Sequence, residues 1–148
     1  MAQLTKIYLD TCSLFRPWDD RRQLKVAMEA EAVQAITGLF EAGQIELLSS
    51  QALRYEISLN PYVERRAYGE ALLAKATIDI KMNDEIDLHA QELERLGIKT
   101  MDALHLSSAI YGKSDFFCSS DLRFLKKARQ AETYLTKVVT PLELIEIL

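Results

Sequence analysis

Apolar residues recur along this chain in two rhythms: short unbroken runs, and longer stretches with apolar positions three and four apart. The first rhythm predicts strands and the second predicts helices. Lys6 to Asp10, with Ile7 and Leu9, reads as a strand that leaves through Asp10-Thr11-Cys12-Ser13. Arg16-Pro17-Trp18-Asp19-Asp20 reads as a loop, because Pro17 and the paired acids break regular structure. A helix is expected from about Gln23 to Ala42, with Ala32, Val33, Ile36, Leu39 and Phe40 on one face and Gly43 as a left-handed C-cap. Ile45 to Leu48 is a second strand, after which Ser49 or Ser50 can cap a helix carrying Leu53, Glu56 and Ile57. Asn60-Pro61 ends that helix. Tyr62 to Ala76 is a further helix, in which Ala67, Ala71 and Ala74 would permit close packing.

Thr77 to Met82 reads as a third strand. Asn83 caps a helix that ends at Gly97, with Ile86, Leu93 and Leu96 facing in. Thr100 is placed as the cap of Met101 to Tyr111, which Gly112 ends. Phe116 to Cys118 is a short buried strand, Leu122 to Ala131 a helix, and Leu135 to Val139 a last strand. Thr140-Pro141-Leu142-Glu143 carries Thr, Pro and Glu at the N-cap, N1 and N3 positions of a final helix. Strands alternating with helices predict an α/β fold, with a mainly parallel sheet of four or five strands covered on both faces. Residues 1–148 show no repeat or linker and read as one domain.

In open α/β sheets ligands bind beyond the carboxyl ends of the strands. Asp10 ends the first strand there, and Asp121 follows the strand Phe116 to Cys118. Asp102 lies in the first turn of a helix, where the dipole favours negative charge. Glu56 lies on the helix after the second strand. Four carboxylates in one crevice repel one another, and a hard divalent cation such as Mg²⁺ relieves that repulsion. Such a metal can activate water for in-line attack on a phosphodiester. The same residues also fit plainer roles: Asp102 and Asp121 as first-turn or capping acids, Glu56 on a solvated face.

Composition narrows the classes. A net charge of −4 counts against a simple electrostatic nucleic-acid binder, although setting the four crevice acids aside leaves as many acids as bases. Cys12 and Cys118 make no disulfide framework and read as small buried residues at strand ends. The amino terminus lacks a signal-peptide pattern, and no apolar run approaches the ~20 residues of a membrane span. The expected location is the cytoplasm.

The segment Ile7-Tyr8-Leu9-Asp10-Thr11-Cys12-Ser13-Leu14 resembles the opening motif of PIN-domain nucleases. Ser49 to Ile57, Thr100 to Leu106 with Ala109, and Asp115 to Asp121 with Phe124 and Leu125 resemble the second, third and fourth motifs, in the family's order. The matching acids are Glu56, Asp102 and Asp121. The resemblance implies a three-layer α/β/α domain and Mg²⁺- or Mn²⁺-dependent cleavage of RNA. Many small bacterial members are VapC-type toxins, so it also implies an antitoxin protein as partner and a homodimer. Asp10, Glu56, Asp102 and Asp121 would hold the metal, supported by Thr11, Ser13 and Ser119. Cys12 stands beside the first acid without being a hard-metal ligand, and Ser119 stands where the family commonly has Thr.

Other residues weigh less. Arg16 and Arg123 flank the crevice as phosphate contacts. His105, three residues after Asp102, reads as a packing or hydrogen-bonding residue, and Asp115 lies at the wrong end of its strand. Cys12 lacks the Arg six positions on that a cysteine phosphatase needs, and the position two after Asp10 is Cys where a haloacid-dehalogenase phosphatase has Asp. A receiver domain would want paired acids after the first strand. A PIN fold used only for binding is the remaining alternative.

Overall fold

The computed structural model describes residues 3–148. Five strands form one wholly parallel sheet: β1 (Lys6–Leu9), β2 (Glu46–Ser50), β3 (Ile78–Ile80), β4 (Phe116–Cys118) and β5 (Lys137–Val139). Their order is β3-β2-β1-β4-β5. The chain winds outward from β1 to β3 on one side and then crosses to β4 and β5 on the other. The switch point therefore lies between β1 and β4, which pair Ile7 with Phe116 and Leu9 with Cys118. Helices cover both faces, as the alternation of elements predicted. Coverage on both faces explains why Ile7, Tyr8 and Leu9 are all buried in succession instead of alternating.

Eight helices surround the sheet among the described residues: α1 (Thr11–Leu14), α2 (Leu24–Glu41), α3 (Gln51–Ser58), α4 (Val63–Ala74), α5 (Asp84–Arg95), α6 (Thr100–Tyr111), α7 (Leu122–Ala128) and α8 (Pro141–Ile147). None is long and apolar enough to cross a membrane. Local chemistry sets most of their ends. Gly43, at φ 75°, closes α2 with the bonds Gln44 N to Leu39 O (2.9 Å) and Gly43 N to Phe40 O (3.0 Å), the Schellman pattern. Asn83 accepts the Ile86 amide at 2.9 Å, and Thr140 with Glu143 closes a full capping box on α8.

Several expectations are corrected. The stretch after Asp10 forms the short helix α1, and Arg16–Trp18 is a 3-10 turn instead of loop. Asp10 itself starts that turn by capping it, so the break after β1 is tight. Lys99, not Thr100, is the N-cap of α6, and Thr100 is its first helical residue. Ala67, Ala71 and Ala74 lie on the outer side of α4. The close approach is at Gly69, where a Cβ would stand 3.1 Å from Phe15 and 3.2 Å from Ile57. Leu96 is 53 % exposed because α5 ends at Arg95, and Ala90 fills the inner face between Ile86 and Leu93. Cys118 is buried, but Cys12 is exposed on α1.

Candidate active site at the switch point

Asp10 follows β1 and caps α1, its Oδ1 accepting the Ser13 amide at 2.9 Å. Ser13 donates its hydroxyl to the Cys118 carbonyl at 3.2 Å, which ties this turn to the end of β4. Across the switch point Asp121 caps α7, its Oδ1 accepting the amides of Arg123 (3.0 Å) and Phe124 (3.3 Å). Ser119 steadies that turn by accepting the Asp121 amide at 3.1 Å. Each of these aspartates spends one oxygen on starting a helix.

Glu56 is held from two sides. Its Oε1 accepts a hydrogen bond from the Thr11 hydroxyl and another from His105 Nε2 at 2.9 Å. Behind it runs a buried relay. His105 Nδ1 meets the Tyr8 hydroxyl at 2.6 Å, and Tyr8 meets the Ser50 hydroxyl at 2.7 Å. Ser50 also accepts the Leu53 amide as the N-cap of α3. An ionised Glu56 only accepts, so His105 carries its proton on Nε2, and Tyr8 donates to Nδ1 while accepting from Ser50. The chain of donors closes with every member satisfied. Of the two roles the sequence left open for His105, packing or hydrogen bonding, the structure shows the second, and Tyr8 carried no signal in the sequence. Nothing in an apolar strand signals that one tyrosine hydroxyl points along the sheet toward a histidine 97 residues away.

Electrostatics separates the acids. Burial pushes the Asp10 carboxyl up to about 6, against hydrogen bonds from Ser119 and Ser13 and the nearness of His105, while Asp102 adds to the rise. Asp102, half-buried in the first turn of α6, is also raised, first by burial and then by Asp121 and Glu56. Burial likewise raises Glu56, yet the bonds from His105 and Thr11 outweigh it and hold the carboxyl below its ordinary range. Although part of the Cys12 residue is exposed, partial burial of its thiol and the nearness of Asp10 push it up to about 12, so Cys12 is no ready nucleophile.

Asp102 thus feels each of the other three acids, Asp10, Asp121 and Glu56. Among the described residues, Asp10, Asp102 and Asp121 have no ion-pair partner. Nor do three His, Cys, Asp or Glu side chains converge on one point as a ready-made metal cluster. The donor set consists of oxygens, the kind a hard divalent cation takes, and the repulsion that raises Asp102 is what such a cation relieves. In kind and charge, these residues fit a divalent metal.

The family model of the PIN domain matches residues 7–130. The chain belongs to the PIN domain family. PIN domains are generally nucleases. The structure is similar to the VapBC2 complex of Rickettsia felis bound to a DNA fragment from their promoter, with a TM-score of 0.57 over 90 % of this chain and 98 % of that one. At 14 % identity this likeness shows a shared fold. No curated protein matches the chain.

Within this PIN domain the remaining candidates fall out by position. Arg16 is clamped: its Nε and Nη2 bond to Glu29 (3.1 and 2.8 Å) and its Nη1 to Asp19 (3.1 Å). Glu29 is buried, so this pair fixes the 3-10 turn against α2 and leaves little of Arg16 for a phosphate. Arg123 is exposed just inside α7, next to Asp121. Asp115 accepts the Lys6 amide at 2.8 Å at the opposite end of the sheet, a structural role. Among the described residues the Ser120 hydroxyl, next to Asp121 in the chain, is buried without a partner.

Proposed function

We propose that this PIN domain is a metal-dependent endoribonuclease of the cytoplasm that hydrolyses RNA phosphodiester bonds. The observation that carries the reading is the set of unpaired carboxylates, Asp10, Asp102 and Asp121, facing a held Glu56 at the switch point of a parallel sheet. A divalent cation, Mg²⁺ or Mn²⁺, would be held by Asp10, Asp102 and Asp121 with Glu56, and supplies activation of water and relief of phosphoryl charge.

The protein's own residues do the rest. Thr11 and His105 fix Glu56 through Oε1, which leaves Oε2 to accept a hydrogen bond from the attacking water and orient it. Ser13 and Ser119 keep the Asp10 and Asp121 turns in register. Arg123 offers its guanidinium to a backbone phosphate at the mouth. The likeness to a VapBC2 complex supports an antitoxin protein as partner, and a homodimer is the assembly that the resemblance implies.

The test is cleavage of an RNA panel by the purified protein with Mg²⁺ or Mn²⁺, against EDTA and against Asp10→Asn. Cleavage lost in both controls supports the reading. Cleavage that survives EDTA, or an active Asp10→Asn variant, overturns it.

A further inference from the structure

Beside Glu56 and Thr11 opens a shallow cavity of about 350 Å³ whose other walls are Cys12, Phe15, Leu59, Asn60 and Arg65. Arg65 stands out in it. Its guanidinium lies 4.8 Å from the centroid of the Tyr62 ring and donates to the Trp18 carbonyl at 3.1 Å. It is half-buried, yet among the described residues no carboxylate lies within ion-pair distance of it. Arg16, Arg21, Arg22, Arg54 and Arg129 have acidic partners, whereas Arg65 shares its lack of one with Arg66, Arg95 and Arg123 among the described residues, and of these four it is Arg65 that lines the cavity. Arg65 is therefore a held cation whose charge is not answered, in the wall of a cavity that shares Glu56 and Thr11 with the candidate site.

We propose that this cavity is a nucleotide subsite for single-stranded RNA, in which Arg65 takes the backbone phosphate adjoining the one that is cut. The inference rests on the nuclease reading above. A strand led into a cluster of carboxylates must be drawn by positive charge, and Arg65 supplies it without the cost of breaking an ion pair. The stack on Tyr62 and the bond to Trp18 hold the guanidinium in place before the strand arrives. Phe15 and Leu59 give an apolar wall for an unstacked base, which a duplex does not offer. Asn60 spends Oδ1 on the Tyr62 amide (2.9 Å), which leaves its NH₂ group to donate to a base edge.

The test measures binding of a fluorescent single-stranded RNA to the full chain in the Asp10→Asn background, across a salt series, with wild-type cleavage run in parallel. Arg65→Ala is expected to weaken binding about tenfold or more and to flatten the slope of log affinity against log salt by about 0.7, the share of one phosphate on a single strand. Arg65→Lys keeps the charge and should restore most of the slope. Lys137→Ala, at the amino end of β5, should change neither by more than the surrounding charge does. Trp18 is the single tryptophan, and its emission should change on RNA addition in the parent and less so in Arg65→Ala.

Should Arg65→Ala fail to fold, Arg65→Gln and Arg65→Lys carry the same comparison. Unchanged affinity and slope in folded Arg65 variants overturn the subsite, and so does equal binding of duplex RNA or an absence of RNA binding. Wild-type protein that binds through Arg65 but does not cleave overturns the nuclease reading and leaves the subsite standing. Active wild-type enzyme indifferent to Arg65 does the reverse.

Discussion

At the scale of single residues, the crevice acids hold opposite accounts with stability. Burial pushes the Asp10 carboxyl up to about 6 in the fold from its ordinary 3.8. Between those values the folded state binds the extra proton, so the Asp10 contribution to stability falls as pH rises from about 4 through 6. Above pH 6 the full penalty stands, about 2–3 kcal/mol for a shift of this size. Asp10→Asn can still accept the Ser13 amide, and it is expected to raise stability of the metal-free protein at pH 7 by about that amount. The gain should vanish near pH 4, as read by urea unfolding at several pH values. Glu56 has the opposite sign: its carboxyl is held low, so its contribution is present above its unfolded pKa and is lost as pH falls through the lower folded value. Divalent cation should raise the melting temperature of the wild type by linkage and have little effect on Asp10→Asn. An equal rise in both would remove Asp10 from the metal site.

Elements of this fold depend on where small residues stand. Gly112 ends α6, as expected from the sequence, but the reason is space. A Cβ there would lie 2.3 Å from Ile80 Cδ1 and 3.1 Å from Leu48 Cδ2, both in the core. The left-handed residue is the next one, Lys113 at φ 57°. The bonds Lys113 N to Ile110 O and Ser114 N to Ala109 O, each 3.0 Å, make it the C′ position of a Schellman motif without glycine. Gly112→Ala is expected to cost about 1–3 kcal/mol by overpacking. Gly38→Ala, on the open face of α2 with nothing within 4 Å, is expected to gain up to about 1 kcal/mol. Lys113→Gly should gain about 0.5 kcal/mol, since release from the left-handed strain exceeds the entropy lost. Denaturant midpoints of the three variants would check all three signs, and a neutral Gly112→Ala would mean that α6 shifts freely against β3.

For the whole molecule, the family match ends at residue 130 while the sheet does not. β5 pairs with β4 through Phe117 and Val138, and Val139 O accepts the Ser119 amide at 3.0 Å beside the site. Leu144 of α8 is fully buried, and α8 packs against α2. A chain cut after residue 130 would bare the β4 edge and lose the partner of Ser119. It is expected to aggregate or to unfold without a cooperative transition, which circular dichroism and light scattering would report. A truncated protein that melts cooperatively and keeps its solubility would make β5 and α8 dispensable.

The sequence by itself determined the alternation of strands and helices, the parallel sheet, and the caps at Gly43, Asn83 and Thr140. Hydrophobic spacing and capping are local, so a window of residues contains their causes. It also offered Asp10 and Asp121 as candidates at strand ends, where α/β chains bind ligands, and Glu56 and Asp102 as candidates on helices through the resemblance of their motifs. The tertiary structure alone decided what those acids face. The bond between Tyr8 and His105 spans 97 residues, and that between Thr11 and Glu56 spans 45. The clamp on Arg16 came from Glu29 on another element, and the uncovered charge of Arg65 came from what its neighbours lacked. Such facts depend on which side chains the crossover from β3 to β4 brings together, and no local window records that choice.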